Sequence, residues 1–97
     1  MANYVVLMKL TPEGAKSLKD APQRLAKANE ILAAEGARIT AGYATLGQYD
    51  YVFVMEGPED FAKVAKCSAA VAMMGAISIQ TMPALPVTDF FKVVAEL

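Results

Sequence analysis

Hydrophobic residues alternate with polar ones in short segments of the chain, and they recur at helical spacing in the stretches between these segments. Residues 3–10 are apolar at nearly every position, which predicts a strand that is covered on both faces. Successive side chains of a strand point to opposite faces. The even positions Tyr4, Val6, Met8 and Leu10 should therefore share one face, opposite Val5, Leu7 and Lys9.

Three further strands are predicted from the apolar runs at residues 37–44, 50–56 and 76–82. The first two of these are separated by a short segment that contains Gly47, which predicts a hairpin turn. Pro83 is expected to end the last strand, because proline cannot donate a hydrogen bond to a neighbouring strand.

Two helical regions are predicted between the strands. The first starts at Thr11, a favourable N-cap, starts again at Asp20 and ends at Gly36. The second opens in residues 57–60 and ends at Gly75. Apolar residues at helical spacing mark the buried sides, which are Leu25, Ala28, Ile31 and Leu32 in the first and Phe61, Val64, Ala65, Ser68 and Ala72 in the second.

The predicted order is β-α-β-β-α-β, the split βαβ pattern of the ferredoxin-like fold in the α+β class. Right-handed crossovers place the third strand between the first two and predict an antiparallel sheet in the order 4-1-3-2. We expect one domain over residues 1–97, because a chain of this length is the size of a single small domain. Residues 86–97 are expected to form a C-terminal tail with a short helix capped by Thr88.

A second copy of the chain is the expected partner of the sheet. Two helices cover one face of a four-stranded sheet, yet the first strand is apolar on both faces. The third strand shows the same property, with Phe53 and Met55 opposite Val52 and Val54. We therefore predict a homodimer, or a higher oligomer, in which two sheets face each other as a dimeric α+β barrel.

Composition and charge exclude several classes of function. The chain is 56% hydrophobic with a formal net charge of −1 and no basic stripe, so nucleic-acid binding is not expected. No apolar run approaches the roughly 20 residues that span a membrane, so no membrane association is expected. The single cysteine, Cys67, fits a reducing compartment and predicts a cytoplasmic location. Its apolar setting in a helix indicates packing rather than reactivity.

The sequence contains no histidine. This removes the commonest general acid/base, the histidine-assisted nucleophiles and most transition-metal sites, so we expect no metal and no cofactor. Any catalysis would rest on lysine, acidic, tyrosine or arginine side chains, or on the lone cysteine.

The predicted topology gathers polar residues at the sheet end where the hairpin lies. Lys9 and Asp50 are the catalytic candidates, since a desolvated lysine or a carboxylate can transfer a proton. Thr11, Tyr43 and Tyr49 are candidates for ligand binding, and the phenols of the two tyrosines can stack on a planar ligand or donate to an oxyanion. A structural alternative explains the same residues: Asp50 would bond backbone donors and pair with Lys9 while the tyrosines pack across the hairpin.

Two motifs carry a resemblance to a known family. The segments "YVVLMKLTPEGAKSLKDAPQR" and "LGQYDYVFVMEGPED" resemble the GYD-domain family, whose Gly-x-Tyr-Asp signature falls on Gly47, Tyr49 and Asp50. The resemblance covers the chain to about residue 85. It implies a ferredoxin-like domain related to dimeric α+β barrels, and it draws attention to Arg24 near a helix N-terminus, where an anion can bind.

These observations lead to two functional hypotheses. The first is a homodimeric module, or a small enzyme without a cofactor, that acts on an anionic or aromatic small-molecule metabolite at the hairpin end. The second is a non-catalytic structural or regulatory assembly module, in which the same residues only stabilise the hairpin and the dimer. Fold alone does not distinguish them.

Overall fold

The computed structural model describes residues 1–97 as one sheet with four helices. The strands are β1 (Ala2–Leu10), β2 (Arg38–Ala44), β3 (Tyr51–Gly57) and β4 (Ile77–Ala84). The helices are α1 (Pro12–Lys16), α2 (Ala21–Ala34), α3 (Phe61–Ala72) and α4 (Val87–Val94), and a 3-10 turn at Leu18–Asp20 links α1 to α2. The predicted α+β class is confirmed, with a ferredoxin-like element order and an added C-terminal helix.

The four strands form one antiparallel sheet in the order β2-β3-β1-β4. Residues paired across neighbouring strands share a face. The even positions of β1 therefore lie with Phe53 and Met55 of β3, on the side that α2 and α3 cover. Tyr4 and Val6 are buried there, as their positions in the sequence predicted. We call the sheet end with Leu10 and the β2–β3 turn the hairpin end, and the opposite end the far end.

The other side of the sheet, which we call the open face, is apolar at its centre and is not packed against α2 or α3. Val5 of β1 pairs with Val54 of β3 and with Met82 of β4, and Leu7 pairs with Val52. Strand β2 adds Ala41 and Tyr43 to this face. A β-bulge lies between Ile39 and Ala41, so the odd positions of β2 change face at this point.

Predicted boundary signals hold at most helix ends. The Thr11 hydroxyl accepts a hydrogen bond from the Gly14 amide at 3.0 Å, and the Asp60 carboxylate accepts one from the Ala62 amide at the same distance. Gly36 and Gly75 follow helices with φ of 76° and 81°, a conformation that favours glycine. These contacts supply partners for backbone groups that a helix end leaves unpaired.

Two predicted boundaries near the C-terminus are wrong. Strand β4 continues through Pro83 to Ala84, because β4 is an edge strand and its outer side needs no backbone donor. Thr88 does not cap α4, since the helix starts at Val87 with Pro86 in the N-cap position. Pro86 precedes the first residue of α4 with a φ of −52°, the range to which its ring restricts it.

The packed core lies at the far end of the sheet. Its buried members come from β1, α2, β3, α3 and the residue before β2: Tyr4, Leu32, Ala37, Met55, Val64 and Cys67. The Tyr4 hydroxyl also donates a hydrogen bond to the Pro58 carbonyl at 2.8 Å, which ties β1 to the loop before α3. The space between the sheet and helices α2 and α3 is less tightly packed towards the hairpin end.

Helix α4 projects from this body and makes no extensive contact with it. The molecule is consequently elongated, with principal dimensions of 50 × 31 × 18 Å. The helix carries large apolar side chains that are exposed, namely Val87, Phe90, Phe91, Val93 and Val94. Apolar surface of this extent on a short helix is typical of a surface that another molecule covers.

Candidate functional site

Asp50 bonds the backbone at the hairpin end. Its carboxylate accepts a hydrogen bond from the Leu10 amide at 2.7 Å, just beyond the last pairing of β1 with β3. The Asp50 amide donates to the Met8 carbonyl, and the Asp50 carbonyl accepts from the Thr45 amide, both at 2.8 Å. One residue thereby holds β1 and both arms of the hairpin together.

Two threonines complete this backbone scaffold. The Thr11 hydroxyl donates to the Gly75 carbonyl at 2.7 Å, so it joins the start of α1 to the loop before β4. The Thr45 hydroxyl donates to the Tyr49 carbonyl at 2.6 Å across the turn. Within the turn, Gly47 has a φ of 133°, which side chains other than glycine rarely adopt. Thr11 caps the start of α1, and both hydrogen bonds of its hydroxyl are made within the chain.

Lys9, Tyr43 and Tyr49 lie on the open face. Lys9 pairs in register with Ser78, and Tyr43 pairs with Val52 and is 65% exposed. The Tyr49 hydroxyl donates to the Gln80 side-chain oxygen at 3.1 Å, which brings its ring towards the same face. The expected ion pair between Lys9 and Asp50 is wrong, because Asp50 bonds to the Leu10 amide and Lys9 makes no ion pair.

Arg24 is separated from these residues, on the helix-covered side of the sheet. It lies in the first turns of α2, and its Nη1 atom donates to the carbonyl and hydroxyl oxygens of Ser17 at 3.0 and 3.1 Å. Arg24 is one of the residues that line a cavity between the helices and the sheet. The structure therefore brings together part of the predicted cluster on the open face and places Arg24 at a different site.

The cavity of about 350 Å³ was not predicted from the sequence. It extends between the sheet and helices α2 and α3, and most of its lining is apolar. Residues towards the hairpin end include Met8, Tyr51, Phe53, Ile77 and Ile79. Alternation grouped Met8 with the other even positions of β1 and Phe53 with Met55, but alternation does not show whether the space above a face is filled.

The chemistry of the remaining candidate groups is limited. Burial raises the pKa of the Cys67 thiol, so the protonated and unreactive form is favoured at neutral pH, and Cys67 packs in the core as expected. A hydrogen bond to Glu35 raises the pKa of Lys66 at an ion pair between the end of α2 and α3. No three His, Cys, Asp or Glu side chains converge as metal ligands would. None of the helices has both the length and the apolar character of a membrane span.

The fold and the hairpin define a small ferredoxin-like α+β protein with an aspartate-tied β2–β3 turn. The chain belongs to the GYD domain family, whose sequence model matches residues 4–94. The match includes α4, so the family extends beyond residue 85, where the resemblance was expected to end. A curated relative from Thermus thermophilus is 40% identical over 90 residues, covering 92% of this chain and 94% of its own. That relative is named glutamine synthetase and cystathionine beta-lyase binding protein.

Solved structures share the fold at low sequence identity. FFRP-DM1 matches 88% of this chain and 100% of its own, with a TM-score of 0.58 and 17% identity. The protein TTHA0845, also from Thermus thermophilus, covers 89% of this chain and 95% of its own, with a TM-score of 0.53 and 16% identity. Likeness at this level of identity supports the fold and carries no statement about activity.

Proposed function

We propose that this chain is a self-associating, non-catalytic module that binds metabolic enzymes. The observation that carries the proposal is the 40% identity, over 92% of the chain, to a protein named for binding glutamine synthetase and cystathionine beta-lyase. Similarity over nearly the full length of both chains makes the same two enzymes the first candidate partners. A single unpaired cysteine accords with a reducing, cytoplasmic site of action.

The geometry favours binding over catalysis at the hairpin end. A general base needs a position within hydrogen-bond reach of a substrate, and a second group usually orients it. The Asp50 carboxylate instead holds the Leu10 amide, and Lys9 extends from the open face without a carboxylate partner. We therefore assign Asp50 and Thr11 to the scaffold, and Lys9, Tyr43 and Tyr49 to the surface that meets another molecule.

The open face is the surface proposed for self-association. Val5, Leu7, Val52 and Val54 form a continuous apolar centre, and each remains partly exposed in the single chain. Packing two such sheets face to face would bury these side chains between two chains, as a dimeric α+β barrel does. A homodimer thus explains why β1 and β3 are apolar on both faces.

A charge in the centre of the open face should separate the two chains. In sedimentation velocity, the wild-type protein is expected at twice the chain mass of 10.3 kDa. Leu7→Glu is expected to sediment as a monomer, because pairing the sheets would bury a carboxylate without a partner. Lys27→Glu, which introduces the same side chain on the exposed surface of α2, should leave the dimer intact. A monomeric wild type at about 10 μM would contradict the proposed dimer.

Enzyme binding is tested directly with purified partners. The wild-type chain is expected to bind glutamine synthetase or cystathionine beta-lyase from its own organism with a dissociation constant of roughly 10 μM or tighter, measured by biolayer interferometry. Phe91→Ser on the exposed apolar side of α4 should weaken this binding, whereas Lys92→Ser on the same helix should not. Absence of binding to both enzymes at about 100 μM would overturn the proposal.

Small-molecule binding is the second candidate function, and the cavity on the helix-covered side favours it. The cavity is separate from the open face, so a ligand there and self-association through the open face are compatible.

A further inference from the structure

We propose that the cavity between the sheet and helices α2 and α3 binds a small hydrophobic carboxylate, with the anionic group on Arg24 and the apolar body against the sheet. This goes beyond the proposed enzyme binding, which makes no use of the cavity.

The cavity is a gap in a layer that is packed elsewhere. At the far end, Tyr4, Met55 and Val64 are at most 4% exposed. Towards the hairpin end, Phe53 and Ile79 lie on the same side of the sheet but remain only partly buried. The space is partly open to solvent, so covering its apolar lining with an apolar ligand is favourable. A space of about 350 Å³ lies within the size range of small-molecule sites, which begins at roughly 300 Å³.

The lining is apolar with one free cation. Of its 21 residues, 17 are hydrophobic, and the exceptions are Pro22, Arg24, Ser68 and Thr81. The hydroxyls of Ser68 and Thr81 hydrogen-bond to each other at 2.8 Å, so one of the two O–H groups already has an acceptor. Arg24 is the only charged residue in the lining. A ligand that fits this surface combines a large apolar body with a single polar group.

The guanidinium of Arg24 has donors available for that polar group. A guanidinium carries five N–H donors, and the hydrogen bonds of Arg24 within the chain are both made by Nη1, to Ser17. None of the four ion pairs of the chain involves Arg24. Its Nη2 and Nε atoms are therefore free to form the paired contact that guanidinium makes with a carboxylate.

The volume sets the size of the ligand. At about 30 Å³ for each water-sized group, the cavity accommodates on the order of a dozen non-hydrogen atoms. Octanoate and 3-phenylpropanoate are carboxylates of about this size, one with a flexible body and one with an aromatic body. They are therefore suitable probes of the site, and their relative affinities show which kind of body the cavity prefers.

The experiment is isothermal titration calorimetry of the intact chain with octanoate, 3-phenylpropanoate, octan-1-ol and octylammonium. We expect saturable binding of at least one carboxylate at one molecule per chain, with octan-1-ol roughly tenfold weaker and octylammonium weaker still. Arg24→Gln should lower carboxylate affinity roughly tenfold and leave the affinity for octan-1-ol unchanged. Arg38→Gln, which changes an arginine paired with Glu56 outside the cavity lining, should alter neither affinity.

Two cavity-filling variants test the location without changing charge. Ile79→Phe and Ala28→Leu enlarge side chains of the lining, and each should reduce the affinity for the carboxylate and for octan-1-ol, with helical circular dichroism retained. The proposal is overturned if neither carboxylate binds the wild type saturably. It is also overturned if Arg24→Gln binds carboxylates as tightly as the wild type, or if both filled variants do. Enzyme binding is measured separately, so failure here leaves the proposed function to its own test.

Discussion

Replacing Gly14 with alanine is expected to destabilise the protein by about 2–3 kcal/mol, although alanine normally favours a helix. Gly14 is buried in α1, and a Cβ built on it overlaps the carbonyl oxygen of Ala76. That carbonyl also accepts the hydrogen bond from the Thr11 amide at 3.0 Å, so moving it away disturbs the start of α1. Helix propensity alone predicts a gain of about 1 kcal/mol from the same change, so the sign of the result distinguishes the two effects.

The measurement for Gly14→Ala is urea unfolding followed by circular dichroism. The loss should also lower Tm by about 4–8 °C for each kcal/mol in a domain of this size. Ala15→Ser is the matched control, because Ala15 is the next residue of α1 and is exposed. It is expected to change the free energy of unfolding by less than about 0.5 kcal/mol. Equal or greater stability of Gly14→Ala would show that α1 does not pack against Ala76 as described.

Removing the carboxylate of Asp50 is the second large change that we expect. Asp50→Ala should lower the free energy of unfolding by about 1–3 kcal/mol, because the Leu10 amide loses its hydrogen-bond partner in a partly buried position. Asp50→Asn should cost less, since an amide oxygen can still accept from the Leu10 amide without the charge that strengthens the bond. Denaturant unfolding of the two variants at neutral pH gives both values.

Two controls distinguish the loss of the hydrogen bond to the Leu10 amide from the loss of a negative charge or of an ion pair with Lys9. Asp20→Ala removes an exposed carboxylate that makes no capping bond and should cost less than about 0.5 kcal/mol. Lys9→Met should have an equally small effect on stability, because Lys9 does not pair with Asp50. Wild-type stability of Asp50→Ala would contradict the scaffold role and return Asp50 to the candidates for ligand contact.

Much of the fold was predictable because local patterns and topology agree. Alternation in β1 placed Tyr4 and Val6 on one face, which is buried in the structure, and the N-cap at Thr11 and the glycine at Gly36 marked helix ends. The predicted end of β4 was wrong because β4 is an edge strand. A proline interrupts a central strand, but Pro83 is tolerated because β4 lies at the edge of the sheet. The local sequence pattern does not show which strand lies at the edge.

The candidate site was predicted less completely. Chain order indicated that Thr11, Tyr49 and Asp50 approach the hairpin end, and the structural alternative for Asp50 as a partner of backbone donors matches the Leu10 contact. The contacts of the other candidates depend on which face of the sheet each side chain lies on. Lys9 and Asp50 are near in topology, yet Lys9 lies on the open face and Asp50 bonds towards β1. The cavity depends on how far α2 and α3 are held from the sheet, which residue patterns do not encode.

The two outer strands of the sheet have a consequence for how large an assembly can grow. A free strand edge can pair with the edge of another molecule and extend a sheet without limit. Here the bulge between Ile39 and Ala41 interrupts β2, and Pro83 removes a donor from β4. Both interruptions oppose continuous strand addition and leave the open face for contact between copies. Association through the open face, as proposed, would therefore give closed particles of defined size and not fibrils.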